Sequence, residues 1–176
     1  TIGPYLLPHI IPALRRLHPD VELYLREEIT ERLIARLANG ELDAAILSLP
    51  LPDASLEYAS FYVERFVAAL PKGHALAERD SLDLKDLSDE TILLLEEGNC
   101  MRDQTISLCK GTRPVDRNEY RASSVESLRQ MVGAGMGCTF LPELSTTGLF
   151  KSASPIEVRA LVDAPPSRGI VGPWGR

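Results

Sequence analysis

The apolar residues of this chain change period repeatedly, from helical spacing to strand alternation and back, and any fold must satisfy both. Leu6, Leu7, Ile10, Ile11, Leu14 and Leu17 recur at helical intervals until Pro19-Asp20 ends the run. Residues 21–25 then alternate as a strand does. Thr30 is placed to cap a second helix carrying Leu33, Ile34 and Leu37, with Asn39-Gly40 as its stop. Residues 42–47 read as a buried strand. Strand, helix, strand is a βαβ unit, which predicts a right-handed crossover, ligands at the carboxyl ends of the strands and an α/β fold. Pro8 and Pro12 are discordant, because a proline is comfortable only in a helix's first turn and Pro12 predicts a kink.

Beyond the breaks at Pro50 and Pro52, residues 61–69 predict a strand, residues 82–87 a short helix, and residues 91–95 a strand that delivers Cys100 to a loop. Ser124 caps a further helix with Leu128, Met131 and Val132 on its apolar face, ended by Gly135 and Gly137. Residues 138–141 follow as a strand stopped by Pro142, and residues 158–161 and 169–171 are short strand candidates. A closing helix is missing from this pattern. The chain therefore reads as a fragment of a longer protein.

Composition removes several classes of function. A net charge of −6 and a pI near 5.1 argue against nucleic-acid binding by this segment, which needs basic residues to neutralise phosphates. No run approaches the length of a membrane span and no signal peptide is legible, so a cytoplasmic protein without membrane contact is expected. Three cysteines without a disulfide-framework spacing fit a reducing compartment. His9, His18 and His74 are scattered, so neither a metal site with the cysteines nor a cofactor is expected.

Two of the cysteines differ sharply in their surroundings. Cys100 follows a Gly-Asn turn and precedes Met-Arg-Asp-Gln, which reads as a helical first turn where free N–H groups and nearby Arg102 favour a thiolate. Cys109 sits among Ile106 and Leu108. If one helix joins them, nine steps of about 1.5 Å separate them by roughly 13 Å on opposite faces. Disulfide Cα atoms lie only about 4.4 to 6.8 Å apart, so a bridge demands that the segment unwind. The spacing suits a redox switch, and it equally suits two ordinary buried thiols. Cys138, in an apolar strand without neighbouring charge, reads as core.

Three stretches carry a family resemblance: 3–8 (Gly-Pro-Tyr-Leu-Leu-Pro), 37–46 (Leu-Ala-Asn-Gly-Glu-Leu-Asp-Ala-Ala-Ile) and 135–142 (Gly-Met-Gly-Cys-Thr-Phe-Leu-Pro). Along nearly its whole length the chain resembles the effector-binding half of LysR-type transcription regulators. The stretch 95–104 with Cys109, together with 121–129, resembles more narrowly their peroxide-sensing OxyR branch. The resemblance implies a two-lobed, periplasmic-binding-protein-like (type 2) α/β fold, each lobe a mixed sheet flanked by helices. Lobe I would span residues 1–66, lobe II with the redox cysteines 67–166, and residues 167–176 would return to lobe I. It also implies that hydrogen peroxide oxidises Cys100, that Cys109 resolves it as a Cys100–Cys109 disulfide, and that a cellular dithiol reduces the pair. Thr1 and Thr30 match peroxide-lining positions, and Asn99, Arg102, Asp103 and Ser124 are the accompanying ligand-binding residues. Asn99 departs from the histidine expected at its position. The implied partners are a second copy in a homodimer or homotetramer, promoter DNA through an N-terminal winged helix-turn-helix that this chain lacks, and RNA polymerase.

Two other classes fit some of these residues. One is a LysR-type regulator that binds a small carboxylate at helix N-termini near Thr1 and Ser124, with incidental cysteines. The other is a thiol peroxidase with Cys100 as nucleophile and Cys109 as resolving thiol. The second lacks a Cys-x-x-Cys motif, and unwinding a helix at every turnover suits a sensor better than a fast catalyst.

Overall fold

The computed structural model describes residues 1–52, 56–109, 121–147, 155–162 and 166–174. The described chain divides into two compact units, one of residues 1–62 with 169–176 and the other of residues 63–168.

In the first unit, helix α1 spans Gly3–Leu17 without interruption although Pro8 and Pro12 lie inside it. The two prolines are four residues apart and both are exposed, so their missing N–H groups fall on the solvent side while Tyr5 is buried opposite. Helix α2 spans Thr30–Ala38 and buries Leu37. Its cap position is taken by Ile29, with no side-chain capping bond, so Thr30 is the first helical residue and not the predicted cap. The predicted βαβ unit does not form. Residues 21–25 have no strand conformation, and Val21, Tyr24 and Leu25 are exposed, because alternation makes a strand only where a neighbour supplies hydrogen bonds. Of the strand expected at 42–47, only β1 at Leu47–Ser48 and a bridge at Ala44 are present. Their partner comes from the far end of the chain: Leu47 pairs antiparallel with Val171 and Ser48 with Ile170.

The second unit is built around β2, at Tyr58–Pro71, whose residues 66–70 are all buried. Strands β3 (Ser81–Leu82), β4 (Thr139–Pro142) and β5 (Ile156–Leu161) complete the local pairing. Both β4 and β5 run antiparallel to β2, and β3 runs parallel to β5. The final strand, β6, spans Ser167–Pro173. The helix expected at 82–87 resolves into β3 and a 3-10 turn at Leu84–Leu87, whose start is fixed by Asp83 N–H donating to Asp86 Oδ2 at 2.8 Å. Residues 91–95 make two isolated parallel bridges, Ile92 with Cys138 and Leu95 with Ala122, in place of a continuous strand. Helices α3 (Cys100–Leu108) and α4 (Val125–Gly133) follow. A Cβ at Gly137 would lie 2.5 Å from the Thr91 carbonyl oxygen, so this close approach admits only glycine.

Candidate redox site

The bridge at Leu95 brings the chain to Gly98, whose φ of 86° is left-handed and turns it into α3. Asn99 occupies the cap position in extended conformation; its Nδ2 donates to the Glu96 carbonyl at 3.3 Å and makes no cap bond to the helix. Cys100 is the first residue of α3 and is half-buried. It thus belongs to the turn whose N–H groups lack intrahelical acceptors.

Cys109 is the C-terminal cap of the same helix, buried, with its N–H shared between the Thr105 and Ile106 carbonyls. Neither cysteine is in a disulfide. One cysteine is therefore half-buried at the N-terminal end of the helix and the other is buried at its C-terminal end.

Arg102 is buried and donates from Nη1 to the Leu95 carbonyl at 3.2 Å, which ties α3 to the segment before it. Glu97, just before the turn, meets Arg121 at 2.8 Å. Asp103 is exposed on the outer side of α3. Ser124 does cap α4, as the sequence predicts, accepting from the Ser127 N–H at 3.1 Å. Thr1 and Thr30 are half-buried residues of the first unit, and the Thr1 amino group lies 3.3 Å from Glu27 Oε1.

Cys138 is a different kind of thiol. Burial, and then the charge of Glu90, push its pKa up to about 12, so it is protonated and inert at neutral pH. Sequence reasoning assigned it to the core but missed its neighbours: His74, Glu90 and Cys138 bring a ligand-type atom each within 4.8 Å of the other two. No local signal announces a cluster drawn from three separated segments.

Residues 1–171 match the family model described as the LysR substrate binding domain. The chain belongs to the LysR substrate-binding domain family. It has the type 2 periplasmic-binding-protein-like α/β fold of that family, with mixed sheets in an open arrangement. Among LysR-type proteins it is 41% identical over 145 residues to the DNA-binding transcriptional dual regulator OxyR of Escherichia coli K12. That match covers 82% of this chain, which spans about half (48%) of the relative. The crystal structure of the reduced form of OxyR superposes with a TM-score of 0.89 at 35% identity, covering all of this chain and 82% of the other. An H2O2-bound cysteine-to-serine mutant of Corynebacterium glutamicum OxyR gives a TM-score of 0.91 at 28% identity, covering 99% of this chain and 56% of the other. No helix among the described residues is long and apolar enough to cross a membrane.

Proposed function

We propose that this chain is the sensing domain of a hydrogen-peroxide-responsive LysR-type transcription activator of the OxyR kind. The observation that carries this reading is the pair of reduced cysteines at the two ends of α3, one half-buried at the N-terminal turn and one buried at the C-cap. The Cys100 thiolate attacks one oxygen of hydrogen peroxide, the O–O bond breaks, and hydroxide leaves as Cys100 becomes a sulfenic acid. The Cys109 thiol then attacks that sulfur; an S–S bond forms, the S–O bond breaks and water is lost. Nine helical steps put the two residues about 13 Å apart along the axis, so closure requires α3 to unwind. The Leu95 anchor of Arg102 and the packing of Cys109 then change between two discrete states.

In this reading Thr1 and Thr30 line the peroxide site, Asn99 and Arg102 act beside the sulfur, and Asp103 and Ser124 complete its polar surroundings. Lobe I comprises residues 1–66, lobe II residues 67–166, and residues 167–176 return to lobe I. The domain is a switch, not a turnover enzyme, because each cycle melts a helix and needs an external dithiol for reset. The whole regulator is a cytoplasmic homodimer or homotetramer that engages promoter DNA through a separate winged helix-turn-helix and signals to RNA polymerase. A net charge of −6 on this domain is consistent with delegating phosphate contacts elsewhere.

The test is titration with near-stoichiometric hydrogen peroxide, digestion without reduction and mass spectrometry of linked peptides, with Cys100→Ser as control. A rapid Cys100–Cys109 link that Cys100→Ser abolishes is the expected result. Thiols that stay reduced while accessible to an alkylating reagent sink the redox reading and leave a small-carboxylate regulator in its place.

A further inference from the structure

His74, Glu90 and Cys138 lie outside the peroxide chemistry, in the turn after β2, in the segment before residues 91–95 and directly before β4. His74 Nε2 is 3.4 Å from Glu90 Oε2, its Nδ1 accepts the Leu76 N–H at 3.3 Å, and one ligand-type atom of each of the three residues lies within 4.8 Å of the others. Cys138 is buried, and His74 and Glu90 are half-buried. The geometry points to a divalent-cation site in which His74 Nε2, a Glu90 carboxylate oxygen and the Cys138 sulfur hold one zinc-like ion, with water in the fourth position.

The donor set decides the class of ion. One imidazole, one carboxylate and one thiolate make a mixed N, O, S set suited to a borderline-soft cation such as Zn2+ and unsuited to Ca2+ or Mg2+, which take oxygen ligands. Tetrahedral zinc, at about 2.0 Å from N and O and about 2.3 Å from S, has ligand-to-ligand edges of about 3.3 to 3.6 Å. The His74–Glu90 separation of 3.4 Å already has that length, and the sulfur has to close by at most about 1.3 Å. A neutral ring, one carboxylate and one thiolate balance the two positive charges.

Loading leaves two marks. The ion displaces the Cys138 S–H proton to solvent, since a coordinating thiol is deprotonated. With metal on Nε2 the ring proton belongs on Nδ1, so the long contact from Leu76 N–H opens at the start of the 3-10 turn Ala75–Glu78. The site also touches the route to the redox helix: Cys138 N–H donates to the Thr91 carbonyl at 2.8 Å, and Leu93 N–H donates to the Cys138 carbonyl at 2.8 Å. An ion there ties the turn after β2 to the segment that leads to Cys100. This inference stands independently of the peroxide reading.

Cobalt titration of the reduced, chelator-treated Cys100→Ser/Cys109→Ser chain tests it, because Cys138 is then the one thiol left. One cobalt per chain with a sulfur-to-cobalt charge-transfer band, displaced by zinc, is expected. Glu90→Gln should weaken cobalt binding at least tenfold with the fold intact, and Cys138→Ala should abolish the band. Zinc at about 100 times its Kd should raise the folded-to-unfolded ratio about a hundredfold in the parent and leave Cys138→Ala unmoved. A folded parent without the band, or a cobalt affinity unchanged by Glu90→Gln, overturns the site and leaves a His–Glu contact beside a core thiol.

Discussion

Two residues show how differently this fold treats polar groups it takes out of water. Cys138 is kept neutral. Its pKa of about 12, against an ordinary thiol near 9, means that between those values the unfolded chain gives up a proton the folded chain retains. Fewer bound protons in the unfolded state make stability fall with rising pH, so the contribution is whole below about pH 9 and is lost toward pH 12. Urea unfolding in reducing, chelator-containing buffer should therefore give parallel pH curves for the parent and Cys138→Ala below about pH 9. Above it the parent should lose about 1.4 kcal/mol more per pH unit. Arg102, by contrast, is buried with its charge and held by the Leu95 carbonyl. Arg102→Met keeps much of the stem but removes the donor, leaving that carbonyl to find water; a loss of about 1 to 3 kcal/mol in urea unfolding is expected. Helical spacing revealed that Arg102 stands near Cys100, but not that it turns inward, because its acceptor lies in the preceding segment.

At the scale of the element, the proposed mechanism requires α3, a short helix, to be stable when reduced and dispensable when oxidised. Ser107 is exposed in its last turn, so substitutions there change helix propensity while sparing the core. Glycine and alanine differ by about 0.8 to 1 kcal/mol in a helix, which is about fourfold to fivefold in the population of the opened helix. Ser107→Gly should close the Cys100–Cys109 disulfide about that much faster than Ser107→Ala. The rate of sulfenic acid formation, read by trapping with a carbon nucleophile, should be the same in both. Equal closure rates would mean that α3 does not gate the second step. The helices were legible because their signals are local: Ser124 and the glycines around α4, or the Leu33, Ile34, Leu37 stripe of α2, lie within a few turns. Strand pairing was not. Residues 21–25 carry the strand-like alternation, yet it is residues 66–70, an unbroken apolar run, that have β4 and β5 as neighbours, and β1 waits for a partner more than a hundred residues away. The same distance in sequence hid the His74, Glu90 and Cys138 cluster while leaving the Cys100 to Cys109 helix in plain view.

For the molecule as a whole, the strands β2 and β6 matter most, because each contributes residues to both compact units. Glu64 is the second residue of the second unit and Arg168 its last. Arg168 donates to Glu64 Oε2 from Nε at 2.8 Å and lies 2.7 Å from it through Nη2, with its guanidinium 5.6 Å from the Phe66 ring centroid. Both side chains are buried, so each desolvated charge depends on the other. Arg168→Met strands the carboxylate, and about 3 to 5 kcal/mol of stability should go with it. Glu64→Leu strands the guanidinium at a comparable cost. Glu64→Leu with Arg168→Met removes both desolvation penalties together with their attraction, and apolar replacement of a buried pair is often close to neutral. The double variant should thus be far more stable than the sum of the single losses, with a coupling of several kcal/mol in a urea double-mutant cycle. Additive losses would mean that each residue packs for its own sake and that the pair does not hold the two strands together. Strong coupling combined with normal peroxide-driven disulfide formation in the double variant would separate the role of these strands in stability from the chemistry at Cys100.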